Sequence, residues 1–357
     1  MRKRPTSEKD LLSAFEQQLR ERLPLSWEMK VEAQPYREGG RPDALVSLTA
    51  PDGESVTLVV EAKAGAYPAQ LLEAAGQARR FSRGSREVPC VLGPFLSSAT
   101  RALLAKDGVA YADATGNMRI VVDRPALFIE TSGAEKNPWP DERAIRSLKG
   151  RAAGRVVRGL LDFRPPYSLS RLAELSGSTV ASAYRVVEFL EKEAVLQREP
   201  RGPVTDFDWQ RLLRRWVEDY SFTKSNRVEP FLAPRGVLEV VDQLRSGGQR
   251  FAVTGSLAAA RFAPAAPARM AAAYVDDIAD AAQALGLREV DAGANVLLAQ
   301  PFDDVVFDRT QEVDRIAYAA PSQVAADLLT GPGRGPAEGE EMIQWMARNE
   351  DAWRRRP

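Results

Sequence analysis

Three side chains in the first third of the chain have types and a spacing that suit metal-dependent chemistry. Asp43 follows Arg41-Pro42 at the start of a predicted strand, and Glu61 and Lys63 stand two residues apart in the next strand. Because side chains alternate along a strand, Glu61 and Lys63 share a face, and Asp43 can lie opposite them across the hairpin. Two carboxylates and a backbone carbonyl make an oxygen site for Mg²⁺, and a neighbouring lysine can hold or activate a water. We therefore treat all three as candidate catalytic residues for attack on a phosphodiester, with Asp43 and Glu61 as metal ligands. The alternative is the charge alternation of an ordinary solvated strand.

The surrounding pattern predicts an α/β domain over residues 1–137. Apolar residues recur at helical spacing over 10–23, and stretches rich in β-branched residues alternate with further helical patterns. The expected order is a helix, three strands, a helix, a strand, a helix and further strands, which is typical of an α/β fold.

In this order of elements, the two carboxylates and the lysine match the three motif positions of the PD-(D/E)xK nuclease superfamily, which the region resembles. The resemblance implies a restriction-endonuclease-like domain and a Mg²⁺-dependent endonuclease activity. Glu16 on the first helix matches an additional acid found in that superfamily. Gln77 is followed four residues later by Phe81, where related nucleases have Tyr.

Residues 167–205 predict a winged helix-turn-helix. Ser168 or Ser170 can cap a first helix, Ser176-Gly177-Ser178 forms the turn, and Ser178 caps a second helix that runs from Thr179 to about residue 193. Two short strands after residue 196 would form a wing whose arginines reach phosphate. The alternative is a helical hairpin packed inside a larger fold, or a protein-interaction module. The candidate DNA-binding residues here are Ser178, Thr179, Ser182, Arg185, Arg198 and Arg201.

A basic helix leads into this region and completes a predicted DNA-binding domain over residues 144–222. Arg151, Arg155 and Arg158 follow helical spacing, so they could lie along a DNA backbone or form a solvated face. Residues 146–215 contain 14 Lys/Arg and 8 Asp/Glu, a net charge of +6 in a chain that is neutral as a whole. Such a local excess of positive charge suits phosphate contact, and Arg151 and Arg155 join the candidate DNA-binding residues.

Residues 226–357 predict a third α/β domain. A strand runs through Gly255-Ser256 into a helix, and the next strand ends at Asp276-Asp277. This order resembles the nucleotidyltransferase fold, whose enzymes use an Asp-x-Asp. Adjacent aspartates on a strand point to opposite faces, so we expect a degenerate domain and a simple strand-to-helix junction at Gly255.

Longer motifs connect residues 145–353 with bacterial helix-turn-helix regulators and AbiEi-like antitoxins of type IV toxin–antitoxin systems. The resemblance implies a winged helix joined to a nucleotidyltransferase-like domain, while the nuclease-like front domain departs from that family. The motifs are Ala233-Pro234-Arg235-Gly236, residues 253–259, Gly293-Ala294-Asn295-Val296 and Asp327-Leu328-Leu329.

Composition excludes several kinds of site. The chain has no histidine and one cysteine, Cys90, so Ser-His-Asp triads, histidine-ligated zinc and an internal disulfide are all excluded. There is no run of about 18 apolar residues for a membrane span, and the charged N-terminus lacks the apolar segment of a secretory signal. We expect a cytoplasmic protein without a membrane partner.

The function expected first is a transcriptional regulator that binds double-stranded DNA without a cofactor, and an enzyme is not the first expectation. The alternative is a Mg²⁺-dependent endonuclease that acts through Asp43, Glu61 and Lys63. A third interpretation is an antitoxin that binds a toxin protein through residues 226–357. Self-association as a homodimer is compatible with all three.

Overall fold

The computed structural model describes residues 4–37, 39–65, 67–139, 147–198, 202–246, 249–263, 270–290 and 292–357. It has a mixed α/β architecture, as expected. The chain divides into two compact units, Met1–Ala144 with Lys192–Ala194, and Ile145–Glu191 with Val195–Pro357. Within the described ranges, no helix is both long and apolar enough to cross a bilayer.

The N-terminal unit contains three helices and seven strands in its described part. In chain order they are α1 (Glu8–Arg20), β1 (Glu28–Ala33), β2 (Ala44–Thr49), β3 (Ser55–Ala62), α2 (Pro68–Phe81), β4 (Glu87–Gly93), α3 (Ser98–Lys106), β5 (Ala110–Asp113), β6 (Met118–Val122) and β7 (Leu127–Thr131).

These strands form one sheet in which spatial order follows chain order. The pairs β3–β4 and β4–β5 are parallel and the other pairs are antiparallel. Alternate residues such as Leu58 and Val60 of β3 share a buried cluster with Phe15 of α1, whereas Val91 of β4 packs with Leu71 of α2. Because the register pairs residue 61 with Val91, Glu61 projects on the α2 side of the sheet.

The turn between β5 and β6 is organised by Asp113, for which the sequence suggested no role. Its buried carboxylate accepts hydrogen bonds from the N–H groups of Leu96 (2.9 Å), Thr115 (2.8 Å) and Gly116 (3.0 Å). The Asn117 side chain donates to the same carboxylate at 2.7 Å. Asp113 is therefore a structural residue that replaces missing backbone partners in a tight turn.

Replacing Asp113 with Ala should destabilise the N-terminal unit by about 3 kcal/mol, because several buried donors lose a charged acceptor at once. Hydrogen–deuterium exchange should show faster exchange at Leu96 and Gly116, together with a lower thermal midpoint. Asp123→Ala, at an exposed position of the β6–β7 turn, is the control and should change neither. Equal exchange in the two variants would contradict the assigned role.

The second unit follows with eleven helices, a 3₁₀ turn and nine strands in its described part. They are α4 (Arg151–Asp162), α5 (Leu169–Leu175), α6 (Val180–Lys192), β8 (Leu196–Gln197), β9 (Asp206–Phe207), α7 (Trp209–Val217), α8 (Phe222–Ser225), β10 (Arg227–Leu232), α9 (Val237–Ser246), β11 (Phe251–Thr254), α10 (Gly255–Phe262), β12 (Ala271–Val275), α11 (Ile278–Ala284), β13 (Arg288–Glu289), β14 (Val296–Gln300), the 3₁₀ turn (Asp304–Phe307), β15 (Gln311–Val313), β16 (Ile316–Tyr318), α12 (Pro321–Leu329), α13 (Gly335–Arg348) and α14 (Glu350–Trp353).

Strands β8 and β9 pair with each other, and the remaining strands form a sheet in the order β13-β10-β14-β12-β11-β16-β15. The pairs β12–β14 and β11–β16 are parallel. One buried cluster includes Val157 of α4, Leu190 of α6, Trp216 of α7, Tyr274 of β12 and Val324 of α12. The regions predicted as separate domains, 144–222 and 226–357, thus share a core.

A buried ionic network crosses this core. Arg158 of α4 is fully buried and donates from Nε to Asp162 at 3.1 Å and from Nη1 to Gln323 at 2.9 Å. Arg309 Nε lies 2.6 Å from Asp162, whose carboxylate also accepts from Ser322. Burial alone would raise the pKa of Asp162, but the two guanidinium charges outweigh it and hold the pKa below its ordinary value.

Candidate active site

Asp43 and Glu61 are neighbours on adjacent strands. Ala44 pairs with Val60, and the same antiparallel register places Asp43 opposite Glu61. The N–H of Ala62 donates to Asp43 Oδ2 at 2.8 Å, which fixes this carboxylate at the end of the hairpin. Side chains at directly opposed positions lie about 5 Å apart at Cβ. The two carboxylates predicted from the sequence are therefore brought together.

Pro42 shapes the oxygen lining of the site. The Lys63 N–H donates to the Leu92 carbonyl at 3.0 Å, toward β4. Since backbone groups alternate in direction along a strand, the carbonyl of Ala62 faces the β2 side, where Pro42 stands opposite. Proline has no N–H to offer to that carbonyl. Pro42 therefore supplies no ladder hydrogen bond to the Ala62 carbonyl, which makes this oxygen a candidate donor for the site.

Lys63 completes the group and brings in an acid that the sequence analysis missed. Its Nζ lies 3.5 Å from Glu61 Oε2 and 4.0 Å from Glu8 Oε1. The first-helix acid near the site is therefore Glu8, at the start of α1. Glu16, which the resemblance suggested, forms an ion pair with Arg20 at 2.9 Å instead. The capping pattern that starts α1 just before Glu8 is the sequence signal for this position.

Glu61 is unusual among glutamates in its burial and in its pKa. Its residue surface is 4% exposed. Burial, followed by the negative charge of Asp43, raises the pKa of Glu61 to about 7, while Lys63 acts in the opposite direction. The metal-free site therefore disfavours its own ionised form, which an added cation would stabilise.

The donor set fits Mg²⁺ in part. Among the residues that the structure describes, no group of three or more His, Cys, Asp or Glu side chains could hold a metal ion. Asp43, Glu61 and the Ala62 carbonyl supply three hard oxygen donors, while Mg²⁺ commonly takes one or two carboxylates and completes its shell with waters and phosphate oxygens. The site therefore suits a cation that is shared with a substrate.

The predicted recognition helix starts one residue later than expected. Helix α6 begins at Val180, and Thr179 Oγ1 accepts the Ser182 N–H at 3.1 Å, so Thr179 provides the capping bond predicted for Ser178. The Ser178 hydroxyl instead lies 2.8 Å from that of Ser176. Ser182 is buried, and Val180, the first residue of α6, is 50% exposed. The open face of α6 carries Thr179, Ala181, Tyr184 and Arg185.

The predicted wing does not present Arg198 to solvent. The Arg198 side chain is 7% exposed, and its Nε lies 3.0 Å from Glu191 Oε1. Its guanidinium also stands 5.9 Å from the ring centroid of Tyr184. Phosphate contact through Arg198 would require this ion pair to open. Arg201 lies outside the described residues.

The arginines of α4 form neither of the surfaces that helical spacing suggested. Arg151 is exposed and donates to the Phe302 carbonyl at 3.1 Å. Arg155 lies 2.8 Å from Asp303 and donates to the Gly177 carbonyl at 3.1 Å, and Arg158 is in the core. Arg151 and Arg155 therefore attach α4 to residues 302 and 303. Arg151 is exposed, and the side chain of Arg155 keeps 35% of its surface exposed.

Asp276 and Asp277 follow β12 rather than lie within it, and they have different partners. Asp276 accepts from Arg250 Nε at 3.0 Å. Asp277 caps α11 by accepting the Asp280 N–H at 3.0 Å. Gly255 has φ +64° and begins α10 directly after β11, so this turn is a strand-to-helix junction.

Asp327, from the Asp327-Leu328-Leu329 motif, is a buried hydrogen-bond acceptor in the core of the second unit. It accepts from Tyr220 at 2.6 Å, from Thr254 at 2.6 Å and from Gln323 at 2.8 Å. Burial raises the pKa of Asp327 to about 6, although these hydrogen bonds oppose the shift. Its side chain joins α12 to β11 and to the residues after α7.

Neither a protein-family model nor a curated protein matches the sequence. Among solved structures, the chain is similar to a repair endonuclease from Pyrococcus abyssi, with 15% identity, a TM-score of 0.22, and 31% of this chain and 49% of that chain covered. It is also similar to EndoMS in its apo form, with 19% identity, a TM-score of 0.20, and 32% and 48% covered. The chain thus matches about half the length of these structures. At such TM-scores the likenesses assign no activity to this chain.

Glu61→Gln should stabilise the metal-free protein at alkaline pH. The pKa of Glu61 is near 7 in the folded protein and has an ordinary value of 4.5. The free energy of unfolding of the wild-type protein therefore falls as the pH rises through this window, because the folded state resists ionisation of Glu61. The penalty is absent below about pH 4.5 and is on the order of 3 kcal/mol at pH 8. Urea unfolding in EDTA at about pH 5 and pH 8 measures it.

Glu16→Gln is the matched control, because Glu16 is a partly exposed glutamate of the same unit. Its effect should not grow with pH. A Glu61→Gln effect of equal size at both pH values would contradict the raised pKa.

Proposed function

We propose that the N-terminal unit is a metal-dependent nuclease that cleaves phosphodiester bonds in DNA through Asp43, Glu61 and Lys63. The observation behind this proposal is the convergence of two opposed carboxylates, one almost fully buried, with a lysine ammonium 3.5 Å away. A structural ion pair alone would not need the second carboxylate, whose charge raises the pKa of Glu61. A site that binds a cation together with a phosphate would need both.

The roles follow from the contacts. Asp43, held by the Ala62 N–H, and Glu61 would hold the cation together with the Ala62 carbonyl. When bound, the cation would supply positive charge that stabilises the extra negative charge on the phosphorus oxygens. Lys63 lies beside Glu61 and can donate to a phosphate oxygen or to the attacking water. Glu8, 4.0 Å from the same ammonium, would help to orient it.

The placement of the arginines supports ranking this function above regulation. Arg155 and Arg198 are engaged in ion pairs, and Arg158 is buried. These contacts reduce the free positive charge expected on a DNA-binding surface of the second unit. The nuclease residues, in contrast, come together without any rearrangement.

Asp43→Asn and Glu61→Gln should each reduce Mg²⁺-dependent or Mn²⁺-dependent cleavage by roughly 100-fold or more, since each removes a charge that binds the cation. Cleavage of supercoiled and linear DNA measures activity, and calorimetric titration with Mn²⁺ measures binding separately. Glu16→Gln is the control and should retain both. Cleavage that persists in both site variants, or wild-type protein that neither cleaves nor binds Mn²⁺, would refute the proposal.

A second proposal is that the open face of α6 contacts duplex DNA without a cofactor. It is supported by the exposure of Thr179, Ala181, Tyr184 and Arg185 on one side of a helix that follows a four-residue connection. Small side chains and an arginine on such a face suit a major groove. Regulation of transcription, a homodimer and a toxin partner stay predictions.

Arg185→Ala should weaken binding to a preferred duplex by about tenfold and relax sequence preference, because this side chain would reach base edges. Electrophoretic mobility shifts with the protein's own promoter region and with random duplex measure it. Arg171→Ala, which removes an exposed arginine of α5 paired with Glu174, is the control. If both variants bind all duplexes like the wild type, α6 is not the contact.

A further inference from the structure

The loop between β1 and β2 presents an aromatic ring and a guanidinium just before Asp43. Tyr36 is 80% exposed. Arg41 is also exposed, and its guanidinium carbon lies 6.0 Å from the centroid of the Tyr36 ring. One guanidinium covers at most one face of a ring, and an exposure this high leaves the other face open. The pair therefore offers a cation-supported platform on which a planar group can stack.

Contacts of Arg37 and Gly40 hold the described part of this loop. Arg37 donates to both carboxylate oxygens of Glu87 at 2.7 and 2.8 Å and to the Phe81 carbonyl at 2.9 Å. Arg37 and Gly40 exchange backbone hydrogen bonds of 2.9 and 3.0 Å. Gly40 has φ +138°, and a Cβ there would approach the Phe81 ring to 3.1 Å. These contacts pin described backbone positions that follow the exposed ring, which lowers the ordering cost of binding.

The platform is also close to the proposed catalytic residues. Arg41 precedes Asp43 by two residues, and the residue before a proline is extended. Two extended residues span about 7 Å, so Arg41 and Asp43 lie within reach of neighbouring nucleotides of one strand. A nucleotide whose phosphate lies at Asp43 and Glu61 could therefore place a neighbouring base at the loop.

We propose that Tyr36 and Arg41 bind an unpaired base of the strand whose phosphate lies at Asp43 and Glu61, so that the enzyme acts on single-stranded or frayed DNA. This inference rests on the proposed nuclease function. Bases inside a duplex have both faces covered by their neighbours, whereas an unpaired base can stack on an exposed ring. Phosphate contact alone would need Arg41 but not Tyr36.

The test is binding of a single-stranded oligonucleotide of about 15 nucleotides that carries 2-aminopurine, measured in EDTA by fluorescence quenching and anisotropy. Tyr36→Ala should weaken binding about tenfold and abolish the quenching, since stacking on an aromatic contributes most of the affinity for an unpaired base. Tyr36→Phe should keep both, because stacking does not need the hydroxyl. Arg41→Ala should flatten the salt dependence by about one counterion.

Phe128→Ala is the matched control, since Phe128 is a 66% exposed aromatic on β7 of the same unit. Loss of quenching in Tyr36→Ala but not in Phe128→Ala supports the inference. Equal quenching in these two variants, or wild-type protein without quenching, overturns it. Mg²⁺-dependent cleavage is scored separately. Wild-type cleavage with unchanged Tyr36→Ala binding would refute the loop's role alone, whereas stacking by wild-type protein that neither cleaves nor binds Mn²⁺ would refute the nuclease proposal.

Discussion

The N-terminal unit depends on one local constraint, the antiparallel register of β2 and β3 that ends at Pro42. That register sets Asp43 opposite Glu61, and the Ala62 N–H fixes one of the two carboxylates. Burial and the neighbouring charge of Asp43 make Glu61 resist ionisation, which is costly for a fold that gains nothing from it. Natural sequences retain such local conflicts mainly where a ligand resolves them. The sheet, its helices and the anchored β1–β2 loop all serve to hold this end of the hairpin in place.

Much of this end of the molecule could be predicted, because its pattern is local. Alternation along a strand is enough to place Glu61 and Lys63 on one face, and a hairpin is enough to oppose them to Asp43. Glu16 was named in place of Glu8 because the acid that reaches the site depends on how α1 is rotated against the sheet, and this is decided by packing of Phe15 and its neighbours. Asp113 was left without a role since its partners, such as Leu96, lie in another loop.

The second unit shows what a local pattern cannot reveal. Helical spacing in α6 does not show that Ser182 is buried and Val180 is half exposed, because tertiary packing decides which face is covered. Counting charges over residues 146–215 gave a basic segment, but several partners lie about 150 positions away: Arg155 meets Asp303, and Arg158 meets Gln323. Asp303 and Gln323 lie outside residues 146–215, so the sequence of that segment alone cannot predict these contacts. A long-range ion pair and a long-range hydrogen bond therefore attach arginines of the apparent cationic stripe to other parts of the unit.

The burial of Arg158 bears on how such a protein can diversify. A helix-turn-helix that is bounded by its own core can be exchanged between proteins by recombination. Here a crossover near residue 222 would separate Arg158 from Gln323 and from the Val305 carbonyl, leaving a guanidinium in an apolar interior with too few acceptors. A stable product of such a crossover would therefore need an incoming segment that supplies equivalent acceptors for Arg158, or inheritance of the whole unit as one block.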